Sequence, residues 1–78
     1  MTEPEADIEL DLSGLACPMP LLKTKLALNG MAVNQVVKVI ATDPGSEPDF
    51  HLFVKQSNHQ ILDFRKDTNH YLYWIRKG

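Results

Sequence analysis

The run Val36-Val37-Lys38-Val39-Ile40-Ala41 constrains this chain more than any other segment. It is β-branched and nearly continuously apolar, the pattern of a strand with neighbours on both edges. Once that strand is central, the rest of the chain must supply its neighbours and their cover. Asp7-Ile8-Glu9-Leu10-Asp11-Leu12 alternates acid with aliphatic residue by residue. Strand side chains alternate between faces, so this segment reads as a second strand with one wet face and one buried face. Ser13-Gly14 ends it.

The connections read as helices. Pro18-Met19-Pro20 leads into Leu21-Leu22-Lys23-Thr24-Lys25-Leu26-Ala27-Leu28, a run of good helix formers stopped by Asn29-Gly30. Two prolines are tolerated at the start because first-turn N–H groups have no helical partner. A left-handed cap is expected at the glycine. Met19, Leu22 and Leu26 share one side while Leu21 and Leu28 lie well round the cylinder, so the helix should touch both a sheet and a neighbouring helix. After the turn Thr42-Asp43-Pro44-Gly45, Ser46 and Asp49 have capping-box spacing. Phe50, Phe53, Val54 and Ser57 follow at helical spacing, and Asn58 is placed to end the helix in a left-handed conformation. Ile61-Leu62-Asp63-Phe64-Arg65 and Tyr71-Leu72-Tyr73-Trp74-Ile75 flank a polar turn at Asp67-Thr68-Asn69 and form a closing hairpin. The predicted order is β-α-β-α-β-β. Right-handed crossovers then place both helices on one face of a four-stranded mixed sheet, giving an α/β two-layer sandwich.

Residues 1–6 read as a flexible N-terminus and 7–78 as a single domain. At 44% apolar and 23% charged residues with a formal net charge of −2, the chain falls outside the disordered class. No stretch is long enough for a membrane span and no signal peptide opens the chain, so the expected location is cytoplasmic. The acids Glu3, Glu5, Asp7, Glu9 and Asp11 crowd the start. The remaining mild basic surplus falls short of the stripe of a nucleic-acid binder, and no direct nucleic-acid contact is expected.

A domain this small usually wants a staple, yet it holds one cysteine, Cys17. That residue can close no internal disulfide, and the ligand clusters of a structural zinc are missing; neither metal nor cofactor is expected. Cys17 falls at or just before the start of the first helix, where roughly half a positive charge and unpaired N–H donors favour an anion. Its thiol is therefore expected to ionise more readily than a free cysteine. Pro18 keeps Cys17 out of the helix, and because Pro18 and Pro20 lack N–H groups, the donors of Met19 and Leu21 are left to face the sulfur. The competing reading is a small cysteine filling a core gap. A loop-to-helix junction after Gly14, between prolines, is instead an exposed place. None of His51, His59 and His70 has a spacing that points to Cys17 as the base of a hydrolase. There is no second cysteine to resolve a mixed disulfide. A solitary thiolate can accept a sulfur atom as a persulfide and hold it until another protein takes it. That suits a carrier.

The segment Leu10-Asp11-Leu12-Ser13-Gly14-Leu15-Ala16-Cys17-Pro18-Met19-Pro20-Leu21-Leu22-Lys23-Thr24-Lys25 resembles the cysteine-proline-x-proline signature region of the TusA/SirA-like sulfur carrier proteins. Ala41-Thr42-Asp43-Pro44-Gly45-Ser46, then Asp49, Phe53 and His59, continue the pattern, and Tyr71–Lys77 resembles the closing strand. The likeness covers about residues 7–78. It implies the β-α-β-α-β-β sandwich, like the C-terminal domain of a bacterial translation initiation factor. It also implies a sulfurtransferase-type carrier that takes sulfane sulfur on Cys17, with Pro18, Pro20, Asp11 and Gly14 in support. Implied partners are a cysteine desulfurase or rhodanese-like donor and a downstream acceptor protein serving tRNA thiolation, sulfur oxidation or cofactor assembly. Met19 stands where members dedicated to tRNA 2-thiouridine synthesis tend to carry an acidic residue. Asn34 and Asn58 stand where glycines are usual, and asparagine is the best substitute at a left-handed position.

An alternative from another class is a regulatory or RNA-binding module. Tyr71, Tyr73 and Trp74 beside Arg76 and Lys77 are the residue types of a base-stacking platform. Strand alternation puts Leu72 and Trp74 on one face and Tyr71, Tyr73 and Ile75 on the other, which favours ordinary sheet packing.

Overall fold

A computed structural model describes residues 3–78, with elements in the order β1 (Ile8–Leu12), α1 (Met19–Asn29), β2 (Val36–Ala41), α2 (Ser46–Lys55), β3 (Gln60–Lys66) and β4 (Tyr71–Arg76). The strands form one sheet in the order β1-β2-β4-β3. β2 pairs parallel with β1 and antiparallel with β4, so the β-branched run is central as its composition requires. β3 and β4 form the antiparallel closing hairpin, with an irregularity in register between Ile61 and Asp63.

One face of the sheet carries the core. Val37, Val39 and Ala41 of β2 and Tyr73 and Ile75 of β4 meet Leu28 of α1 and Phe50 of α2, so both helices cover the same face. Phe50 stacks on Tyr73 with ring centroids 4.4 Å apart, a pairing worth ~0.5–1.5 kcal/mol beyond its buried area. At the N-terminus of α2 the Ser46 hydroxyl meets the Tyr73 hydroxyl at 2.9 Å, with both residues buried. Burial holds the Tyr73 phenol up at about 12.

The opposite face is sparsely covered, and Trp74 lies on it as strand alternation predicts. Its side chain is nonetheless fully buried. Lys38 Nζ and Arg65 Cζ each sit 5.3 Å from its ring centroid. Glu3 pairs with both cations, at 3.5 Å from Lys38 and 4.0 Å from Arg65. The basic side chains thus shield the indole with their stems while their heads meet a carboxylate. Trp74 Nε1 is left without a hydrogen-bond partner among the described residues. Of the terminal segment 1–6, the first two residues lie outside the described residues.

Several local expectations give way to packing. α1 buries Pro20, Thr24 and Leu28, whereas Met19, Leu22 and Leu26 are 41%, 46% and 71% exposed. Its wet side is therefore the side with three apolar residues, because Thr24 can turn inward by donating its hydroxyl to Pro20 O at 2.8 Å. Gly30 does follow the helix, but at φ −92° in the right-handed region rather than as a left-handed cap. Among the described residues the one non-glycine at positive φ is Asn34, at 76°; Asn58 does not adopt the left-handed conformation expected of it. The capping box at α2 does not form either. Gly45 occupies the cap position with no side-chain capping bond. Ser46 is drawn to Tyr73, and Asp49 is engaged elsewhere.

Candidate functional site

Because β1 and β2 are adjacent and parallel, the loops that leave them emerge at the same edge of the sheet. One carries Cys17 into α1, and the other carries Asp43 into α2. The start of the loop 13–18 is held by Asp11 of β1, whose Oδ1 accepts the Ser13 N–H at 3.1 Å and the Ser13 hydroxyl at 2.6 Å. These two bonds hold the Asp11 carboxyl below its ordinary value. Gly14 follows at φ +83°, a conformation that favours glycine, and donates its N–H to Thr42 Oγ1 at 2.8 Å. Asp11 and Gly14 thereby set the path of the loop, and they stand away from the sulfur itself in its hydrogen-bond network.

Cys17 is exposed, at the junction where sequence places it. The Cys17–Pro18 peptide is cis, and Met19 N–H closes the turn on Ala16 O at 2.9 Å. That bond removes one of the two donors expected to face the sulfur. Pro18 is the cap residue of α1 and is exposed, whereas Pro20 is buried within the first turn. The Cys17 N–H donates to Asp43 Oδ2 at 3.2 Å, tying the two loops together. Gly45 permits their approach, since a Cβ there would lie 2.9 Å from Asp43 Oδ2 and 3.5 Å from Cys17 Cβ.

The thiol departs from the expectation of ready ionisation. Cys17 Sγ–H donates to Asp49 Oδ2 at 2.9 Å, so a carboxylate, and not a helix N–H, is its partner. This bond pushes the thiol up from its ordinary value, assisted by partial desolvation and by the negative charges of Asp49 and Asp43. Asp49, Asp43 and Gly45 join the site although the sequence, where all three continue the family pattern, marked Asp43 and Gly45 as a turn and Asp49 as a cap, and none of them as a site residue. The signal for them was available in the parallel pairing of β1 and β2, which brings the Asp43-to-Asp49 segment beside the cysteine loop.

Next to the thiol, α1 and α2 border an open groove of about 230 Å³ lined by Leu21, Lys25, Asp49, Leu52, Phe53 and Gln56. Lys25 Nζ lies 5.2 Å from the Phe53 ring centroid. The three histidines are held elsewhere. His51 Nδ1 is 2.7 Å from Glu47 O, His59 Nδ1 accepts the Gly78 N–H at 3.0 Å, and His70 pairs with Asp67 at 3.6 Å. The closing-strand aromatics do not form a stacking platform, because Tyr73 and Trp74 are fully buried. Among the described residues no helix is long and apolar enough to cross a membrane.

A family model described as sulfurtransferase TusA matches residues 8–77. The chain is 45% identical over 72 residues to the sulfur carrier protein TusA of Allochromatium vinosum, covering 92% of this chain and 95% of that one. It is 38% identical over 74 residues to a putative sulfur carrier protein of Bacillus subtilis, YrkI, covering 95% and 99%. Among solved structures, a SirA-like protein from Desulfitobacterium hafniense superposes with a TM-score of 0.78 at 25% identity, covering 91% of this chain and 97% of that one.

Proposed function

The chain belongs to the TusA sulfurtransferase family of sulfur carriers, and we propose that it accepts sulfane sulfur as a persulfide on Cys17 and delivers it to a partner protein. The observation that carries this reading is the exposure of the chain's one cysteine at the edge where the β1 and β2 loops meet. A carrier sulfur must be reached by two proteins in turn, and a thiol on an open loop edge meets that requirement. With no second cysteine to attack it, a persulfide formed here stays in place until an external nucleophile arrives.

In loading, Cys17 Sγ attacks the outer sulfur of a donor persulfide. A new Sγ–S bond forms and the donor S–S bond breaks, while the donor sulfur leaves as a thiolate and takes up a proton. In delivery, an acceptor thiolate attacks the outer sulfur on Cys17 and the Cys17 sulfur is the leaving group. Neither step changes the number of electrons overall, so no cofactor is required. A cysteine desulfurase or a rhodanese-like protein fits the donor role. The acceptor belongs to a route that incorporates sulfur into tRNA or a cofactor, or oxidises it. Incubation with a cysteine desulfurase and radiolabelled cysteine tests the reading. Wild type should gain label that a reductant removes, and Cys17→Ala should gain none; equal labelling of the two proteins refutes it.

A further inference from the structure

The thiol of this carrier is held by a negative charge, which is the wrong sign for a group that has to react as an anion. Cys17 Sγ–H donates to Asp49 Oδ2 at 2.9 Å, and Cys17 N–H donates to Asp43 Oδ2 at 3.2 Å. The charged groups that act on the sulfur are Asp49 from α2 and Asp43 from the loop before it, both acidic. On the α1 side, Lys25 borders the same groove as Asp49. It has no salt bridge among the described residues, and its ammonium lies over the Phe53 ring. Among the described residues no cation forms an ion pair with the Asp49 carboxylate at the thiol.

We propose that Asp49 is a positioning residue that restrains Cys17: its carboxylate holds the Sγ hydrogen while the carrier is empty, and a basic side chain of the docking partner releases it by pairing with that carboxylate. The inference rests on the persulfide-carrier reading and adds the regulation of the same sulfur. It also states the chemistry of the partner surface, which must bring a lysine or arginine to the rim of α2.

The consequence for each step follows from the bonds involved. An empty carrier keeps its proton on Sγ and is a poor nucleophile toward stray disulfides and oxidants. When a partner cation pairs with Asp49, the Sγ proton is no longer favoured, Sγ attacks the outer sulfur of the donor persulfide, and the lost proton ends on the donor sulfur that departs. The outer sulfur of the product lies one S–S bond beyond Sγ. The Sγ atom no longer carries a hydrogen to donate, so the Asp49 bond cannot form in the loaded state. The restraint thus acts on the empty carrier alone.

The test compares wild type, Asp49→Asn and Asp49→Lys. Iodoacetamide alkylation of Cys17 is followed across pH, and loading by glutathione persulfide is followed by mass spectrometry. Removing the carboxylate should move the alkylation midpoint to lower pH and raise the rate near neutrality by roughly threefold, a size expected for one exposed charge. Asp49→Lys places the partner's cation in the chain and should be faster again in both assays. A merely structural role for Asp49 leaves the pH midpoint where it is, and superimposable wild-type and Asp49→Asn profiles overturn the proposal. Should the variants fail to fold, the Cys17 13Cβ titration in wild type decides. A midpoint above that of an unfolded Ala16–Pro20 peptide supports the restraint, and one at or below it overturns the restraint. If no protein is loaded by the persulfide, the carrier reading fails, while the alkylation profiles still decide the role of Asp49.

Discussion

The Ser46–Tyr73 contact supports a quantitative prediction, because it joins the start of α2 to the central sheet through two buried hydroxyls 2.9 Å apart. Tyr73→Phe leaves the Ser46 hydroxyl buried beside an apolar ring edge, and Ser46→Ala does the same to the Tyr73 hydroxyl. Stranding a buried hydroxyl costs about 1–3 kcal/mol. For a chain of 78 residues, total stability is on the order of 4–12 kcal/mol, so either single change removes a sizeable share. Replacing both hydroxyls strands neither, and the double variant should be more stable than the sum of the singles implies by roughly 1 kcal/mol. Urea unfolding reads this directly. Trp74 is the chain's one tryptophan and is fully buried, so its emission follows the transition. With an m-value of about 1 kcal/mol per molar urea, each single variant should lose about 1–3 M in midpoint. Strict additivity of the two losses, or singles within error of wild type, would refute the claim that this bond anchors α2.

Other outcomes follow from the same geometry. His59 is held below its ordinary value of 6.5, first by burial and then by Lys77. The unfolded chain therefore binds the proton more readily, and stability should fall as pH drops through 6.5, which urea midpoints at pH 5.5 and 7.5 in wild type and His59→Gln will show. Tyr73 has the opposite linkage: its phenol lies at about 12 when folded, so its contribution is complete below pH 10 and disappears as pH rises toward 12. That loss should be missing from the alkaline unfolding of Tyr73→Phe. Gly45→Ala would place a methyl 2.9 Å from Asp43 Oδ2, displacing that carboxylate from the Cys17 N–H. Hydrogen exchange at the Cys17 amide should accelerate, while exchange in β2 and β4 stays as in wild type.

The elements were readable because each segment carried one dominant pattern. The β2 run has the same bounds in sequence and structure, Val36–Ala41, since a doubly flanked strand leaves little freedom. The alternation of β4 placed Tyr73 and Trp74 on opposite faces correctly. α1 was harder. Its apolar residues surround the cylinder, so no single face was marked, and the structure buries Thr24 while exposing Leu26. The position of Cys17 was legible from the prolines and the loop junction. Its electrostatics were not, because Asp49 lies 32 positions away and is the thiol's hydrogen-bond acceptor. Read locally, Asp49 had a ready helix-capping role at three residues from Ser46. Ser46 instead found Tyr73, which left Asp49 free to meet the thiol. Long-range pairing of this kind depends on strand order, and the local spacing of residues does not encode it.

The most direct measurement is the intact mass of the protein taken from growing cells, followed by peptide mapping under conditions that preserve persulfides. The account predicts a fraction heavier by one sulfur atom, mapped to Cys17 and restored to the unmodified mass by a reductant. A chain carrying no added sulfur in cells with active sulfur transfer, or added sulfur that persists in Cys17→Ala, would contradict it.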